Sequence, residues 1–164
     1  MTLEGPEIAP VRARRALLQA ELSAVIAALW FDIDHNGGTA AADFFVPDGL
    51  LRFADAEFHG RAEIAAVYAA RRSRGARVSR HLAANVHLRE LAPTRVQATS
   101  VVLLFAQDGM PPRPTTSPVL IGDVVDQFIL VNDEWRIASR WLQNMFIEPD
   151  TELAVPQTPQ GGRK

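Results

Sequence analysis

The sequence holds no cysteine, which excludes a disulfide framework, a thiolate metal site and a cysteine nucleophile and leaves the redox compartment open. It holds no surplus of positive charge either. Seventeen Lys and Arg stand against 19 Asp and Glu, a net charge of -2, so phosphate backbones meet no general attraction and nucleic acid is not an expected partner. The stretch MTLEGPEIAPVRARRALLQ at the N-terminus lacks the apolar core of a signal sequence, and no later run reads as long and apolar enough to span a bilayer. The expectation is a cytoplasmic protein with no membrane partner. Histidines and acids form no close-spaced ligand set such as HExxH, and no Gly-rich phosphate loop occurs, so no metal and no cofactor are expected.

What is present suits one domain: 164 residues, 48% hydrophobic and 22% charged, enough chain to bury a sizeable core. Leu18, Leu22, Val25, Ile26, Leu29, Trp30 and Ile33 recur at three- and four-residue steps, which predicts an amphipathic helix over roughly 13 to 34. Asn36, Gly37 and Gly38 suit its left-handed close, and Thr39 is a natural N-cap for a short helix through Phe45. VPDG (46–49) reads as a turn, and LLRF and AEFHG around Ala54 and Asp55 as a short hairpin. A further helix is predicted from Arg61 to about Arg74, with Ile64, Val67 and Tyr68 on its apolar face and Gly75 as its stop.

From Val78 the period changes to two. Leu82, Ala84, Val86 and Leu88 fall on one face of a strand, and His81, Ala83, Asn85 and His87 on the other. Three more strands are predicted at about 95–107, 119–131 and 134–147. Helices followed by a long antiparallel sheet make an α+β domain. The expected organisation is a flexible N-terminus over 1–12, a domain over 13–147 and a flexible Pro- and Gly-containing tail over 148–164.

WFDIDHNGG (30–38) sets two acids at a helix C-terminus, where the backbone dipole disfavours anions. Asp32 lies seven residues after Val25 and three after Leu29, so it extends the buried stripe and points inward. Two accounts stand side by side. A carboxylate desolvated in an apolar pocket has a raised pKa suited to proton transfer, or Asp32 or Asp34 bonds the free amides of the turn at 35–38 or pairs with an arginine. For Asp34 the structural account is preferred.

The acidic helix end, FFVPDG, FHGRAEIAAVY, SRHLAANVHL and DQFILVNDEWRIASR, in this order over about 14–147, resemble the SnoaL-like and scytalone-dehydratase-like branch of the nuclear-transport-factor-2-like superfamily. The resemblance implies a cone-shaped fold, a curved antiparallel sheet wrapped around N-terminal helices to enclose a pocket. It also implies a homodimer or higher homo-oligomer. It further implies a small acid–base enzyme, a lyase (dehydratase), isomerase or cyclase, acting on a hydrophobic small-molecule substrate with a ring and a hydroxy or keto group. Some relatives of this fold only bind ligands or serve as accessory subunits, so a non-catalytic alternative stays open.

SRHLAANVHL is similar to the strand that carries the catalytic histidine in scytalone-dehydratase-like enzymes, which makes His81 the candidate acid or base and Asp32 its partner. The competing account leaves that face in solvent or has His81 satisfied by a neighbouring main chain. Asn85 on the same face, with Tyr68, Trp30, Phe53, Asp123 and Trp141, are candidate substrate-binding residues; a buried protonated Asp123 would donate to an oxyanion. Aligning Asp34 and Asp48 with the family's two recurrent acids puts Phe31 at the position of its catalytic acid. Near Ser100 the family's second histidine is missing, and Tyr68 is the only tyrosine, so the paired tyrosines of scytalone dehydratase are missing too. Asp126 and Arg140 are expected to form a structural ion pair across adjacent strands. Arg71, Arg72, Arg74, Arg77 and Arg80 make the one dense basic patch, which could hold a phosphate or carboxylate and is read in preference as a solvated helix end.

Overall fold

The structure, a computed structural model, describes residues 8–54 and 56–149. Residues 1–7 and 150–164, parts of the expected terminal segments, lie outside the described residues. The fold begins with helix α1 (Ile8–His35), starting earlier than its apolar stripe suggests, and a 3-10 turn (Ala41–Phe44). Next come strands β1 (Phe45–Phe53) and β2 (Ala56–His59) and helix α2 (Gly60–Ser73). Strands β3 (Arg77–Ala92), β4 (Arg95–Asp108), β5 (Leu120–Val131) and β6 (Glu134–Ile147) complete it.

The strands make one curved sheet in the order β2-β1-β6-β5-β4-β3. Its neighbours are antiparallel except at one seam, where β1 runs parallel to β6. VPDG, expected as a turn, lies inside β1, where it is the irregularity in the pairing with β6 between Phe45 and Leu50. The sheet holds α1 against its inner face because Leu22, Ile26, Leu29 and Ile33 stack at four-residue and three-residue steps and are almost fully buried. Burying each such side chain contributes roughly 1.5–3 kcal/mol. The α1 segment Ala9–His35 is, by length and a mean hydropathy of 1.6, apolar enough to cross a bilayer. That corrects the sequence-based expectation; alanines on the outward side raise its hydropathy while the inward side packs the core.

Curvature comes from breaks in register. On β3 the pairing slips between Ala84 and His87, and Asn85 adopts a left-handed φ of 52°. The inward side therefore changes: Ser79 and His81 face inward before the bulge, Val86 and Leu88 pack against the core after it. The uniform alternation expected for this strand is corrected accordingly. A second slip, between Gln127 and Phe128 on β5, moves β6 from inward Ile137 to inward Arg140 and Leu142.

Candidate functional site

The site forms where the end of α1 meets the start of β3. Trp30 and Asp34 stand one helical turn apart on α1, so they share a side, and that side faces Ser79 and His81. The Asp34 carboxylate accepts three hydrogen bonds. The His81 backbone N–H reaches Oδ2 at 2.7 Å, and the Ser79 hydroxyl and His81 Nδ1 both reach Oδ1 at 2.7 Å. The Trp30 indole stacks on the His81 imidazole with centroids 4.2 Å apart and planes 9° from parallel. Arg71 of α2 ties the cluster together, donating to the Ser79 hydroxyl at 2.8 Å and to the Ile33 carbonyl at 3.2 Å.

These contacts fix the charge state. Burial would raise the Asp34 carboxyl, but the hydrogen bonds and charge of His81 and the bond from Ser79 overcome it and hold it below its ordinary value. His81 is pushed below 6.5 chiefly by burial, against the opposing pull of Asp34. A neutral imidazole beside an anion must donate from Nδ1, which leaves Nε2 as the accepting nitrogen.

The ring lines a cavity of about 90 Å³. Ile33, Phe53, Val67, Val102, Leu104, Leu120 and Leu142 make it mainly apolar, while Tyr68, Arg71, Arg77, Ser79, His81 and Asn144 supply polar groups. Tyr68 is buried and its phenol is pushed up to about 12 by burial. Gly38 makes room for it: at φ 74°, a Cβ there would lie 2.7 Å from the Tyr68 ring. Among the described residues no group of three or more His, Asp or Glu is arranged to hold a metal ion.

Behind Trp30 lies a second buried pair. Arg140 donates to Asp126 through Nε at 2.7 Å and through a terminal nitrogen at 2.8 Å, and both side chains are fully buried. The Arg140 guanidinium carbon sits 5.0 Å from the centre of the Trp30 ring.

Of the residues singled out in the sequence, His81, Trp30, Tyr68 and Phe53 are brought together on the cavity. Asp32 is placed elsewhere, which corrects its pairing with His81. It is buried, but its carboxylate accepts from the Asn36 side chain at 3.2 Å and the Ala40 backbone N–H at 3.0 Å. It thus closes the turn after α1, a structural role as in the second account, but through the Asn36 side chain and the Ala40 amide rather than the amides of 35–38. Phe31, aligned above with the family's catalytic acid, is 58% exposed on the outer side of α1. Asn85 sits exposed at the β3 bulge. Asp123 and Trp141 lie on the outer face of the sheet, since their neighbours Val124 and Leu142 point inward; Arg52 covers the Trp141 ring at 5.1 Å.

Asp34, Ser79, Arg71, Arg77 and Asn144 belong to the cavity cluster and were not singled out as candidate site residues. The spacing Trp30–Asp34 and the two-residue step Ser79–His81 carried the signal for two of them. The basic patch is not simply a solvated helix end: Arg71 and Arg77 line the cavity, and Arg77 pairs with Asp108 at 2.5 Å.

A family model described as a SnoaL-like domain matches residues 14–141. The chain belongs to the SnoaL-like domain family. No curated protein matches it in sequence. This SnoaL-like protein is similar in fold to a candidate scytalone dehydratase from Novosphingobium aromaticivorans, with a TM-score of 0.73 and 17% identity, covering 90% of this chain and 97% of that one. It is also similar to ActVI-ORFA from Streptomyces coelicolor, with a TM-score of 0.70 and 22% identity over 82% of this chain and 99% of that one. A protein from Catenulispora acidiphila solved in complex with S-DNPA gives a TM-score of 0.65 and 25% identity, over 79% of this chain and 94% of that one.

Proposed function

We propose that this SnoaL-like protein is a small cofactor-independent acid–base enzyme, of the lyase (dehydratase), isomerase or cyclase type. Its substrate is a hydrophobic, ring-containing hydroxy or keto compound held in the cavity. The observation that carries this reading is the Asp34–His81 pair on the wall of an apolar cavity. Neutral His81 accepts a proton through Nε2 from a hydroxyl or from a carbon next to a carbonyl. Asp34 keeps Nδ1 protonated and stabilises the imidazolium, and the proton returns to leaving oxygen or product carbon. Ser79 and Arg71 act as positioning residues, because they hold Asp34 and touch it or its partner rather than the reacting atoms. The likeness to a candidate scytalone dehydratase and to a relative solved in complex with S-DNPA supports a small-molecule ligand.

The test is hydrogen–deuterium exchange next to the carbonyl in a panel of monocyclic ketones in heavy water. Wild type should accelerate exchange, and His81→Gln should remove about 10²–10⁴-fold of it. Equal exchange by the two proteins across the panel would sink the enzymatic reading.

A non-catalytic subunit is the second reading, favoured by one observation. The far end of β6 exposes Met145, Phe146 and Ile147 beside Trp141, and apolar patches of this kind mark interaction surfaces. A relative of the same fold is the β subunit of a candidate aromatic-ring-hydroxylating dioxygenase, with a TM-score of 0.70. Within the enzymatic reading, the same surface would serve a homodimer. Light scattering separates the two: a particle of twice the 18.0 kDa chain mass supports self-association, and a monomer that co-purifies with a larger iron–sulfur chain supports the subunit.

A further inference from the structure

One polar group in the cavity has no use in the proton chemistry. Asn144 stands two residues beyond buried Leu142 on β6 and lines the cavity, and its amide nitrogen is buried without a hydrogen-bond partner. A buried donor left unpaired is costly and calls for an explanation. Of the other donors of that wall, Arg71 is held on Ile33 and Ser79 and Arg77 on Asp108, while the Trp30 indole nitrogen is buried and unpartnered like the Asn144 amide.

The backbone is built around this residue. Ile121 pairs with Phe146 while Gly122 pairs with Asn144, so Met145 is an extra residue and β6 bulges there. Bulges re-aim side chains beside functional sites. Residue 122 must be glycine for this arrangement, since a Cβ would lie 2.6 Å from the Gln143 carbonyl oxygen. The sheet therefore has no side chain at 122 beside the Asn144 amide. The cavity, at about 90 Å³, is smaller than the ~150 Å³ cavity known to take benzene, so a ligand of more than one ring cannot lie wholly inside it.

We propose that Asn144 receives the oxygen of a carbonyl group, which makes the ligand of the His81 cavity a ketone or related neutral carbonyl compound with a single ring at its buried end. This deepens the acid–base reading and rests on it for the location of the ligand. A neutral amide donor suits a neutral acceptor, whereas a carboxylate would be drawn to Arg71 and Arg77, in competition with Ile33, Ser79 and Asp108.

The experiment compares acetophenone with α-methylstyrene, which replaces the carbonyl oxygen by a methylene group on the same skeleton, by calorimetric or NMR-detected titration. Wild type should bind acetophenone about tenfold more tightly, the worth of one hydrogen bond. Asn144→Leu should bring the two within about twofold by weakening acetophenone alone. If that variant does not fold, the side-chain amide resonance of Asn144 in wild type decides, shifting with acetophenone and not with α-methylstyrene. Three results overturn the proposal: no preference in wild type, a preference that survives Asn144→Leu, or no binding of either compound. Loss of the preference in Trp30→Phe alone would also overturn it, because the Trp30 indole nitrogen is buried and unpartnered on the same wall. His81→Gln separates this result from the catalytic reading, since it should abolish exchange while keeping the preference for acetophenone.

Discussion

Two buried carboxylates face nitrogen partners on either side of Trp30, and their surroundings give them different duties. Asp126 meets Arg140 in a two-bond fork with both side chains at zero exposure. Burial would lower the guanidinium, but Asp126 overcomes it and holds it above its ordinary value, so the guanidinium stays charged. Asp34 meets a histidine instead, and one nitrogen of that ring is left over on a cavity. A pair locked in a two-bond fork away from the cavity is a fixed support; a pair with a spare accepting nitrogen can move a proton. Chemistry here follows from which cation stands opposite the acid and from what lies beyond it.

The largest effect should come from breaking the support. Arg140→Met leaves Asp126 buried and uncompensated and should lower unfolding free energy by about 3–5 kcal/mol in urea titrations. Adding Asp126→Leu should recover most of that loss, because an apolar pair carries no desolvation cost. Failure of the double variant to recover would mean that the pair does more than hold the core.

Breaking the other pair should cost activity before stability. Asp34→Asn keeps the shape but removes the anion that favours protonated His81, so the histidine pKa, already below 6.5, should fall further in an NMR titration. A rise would show that Asp34 does not act on His81 as a carboxylate.

Asp32→Ala should be milder still. It frees the Ala40 amide and the Asn36 side chain, for a loss of about 1–2 kcal/mol in stability with the kcat for exchange unchanged. A large fall in kcat would return Asp32 to the site.

The smallest effect is the pH dependence of folding. The folded pKa of His81 lies below its unfolded 6.5, so the unfolded chain takes up its proton first. Its contribution is fully present above 6.5 and is lost as the pH falls through the lower folded value. Stability should therefore decline below pH 6.5, and His81→Gln should flatten that part of the curve.

Much of this was legible in residue order. The strands expected at 134–147, 119–131 and 95–107 match Glu134–Ile147, Leu120–Val131 and Arg95–Asp108 closely, because alternation with period two and short polar connections mark strands well. The parallel β1–β6 seam was not legible, since nothing local distinguishes a strand's neighbour. Of the site, His81 was visible through its strand motif, whereas Asp34 was passed over for Asp32. Both acids are largely withdrawn from solvent, so extending the apolar stripe could not separate them. Asn85 was misplaced because alternation assumes an unbroken register, and a bulge shifts every following side chain to the other face.

Sequence alone determined the α+β class, the order of the main helices and strands, the apolar stripe of α1 and the absence of cysteine chemistry, because these depend on neighbours along the chain. Tertiary structure decided which acid meets the histidine. Asp34 and His81 are 47 residues apart, and their contact depends on how the last turn of α1 is rotated against β3, a matter of packing between Trp30, Ser79 and Arg71 that no local pattern encodes.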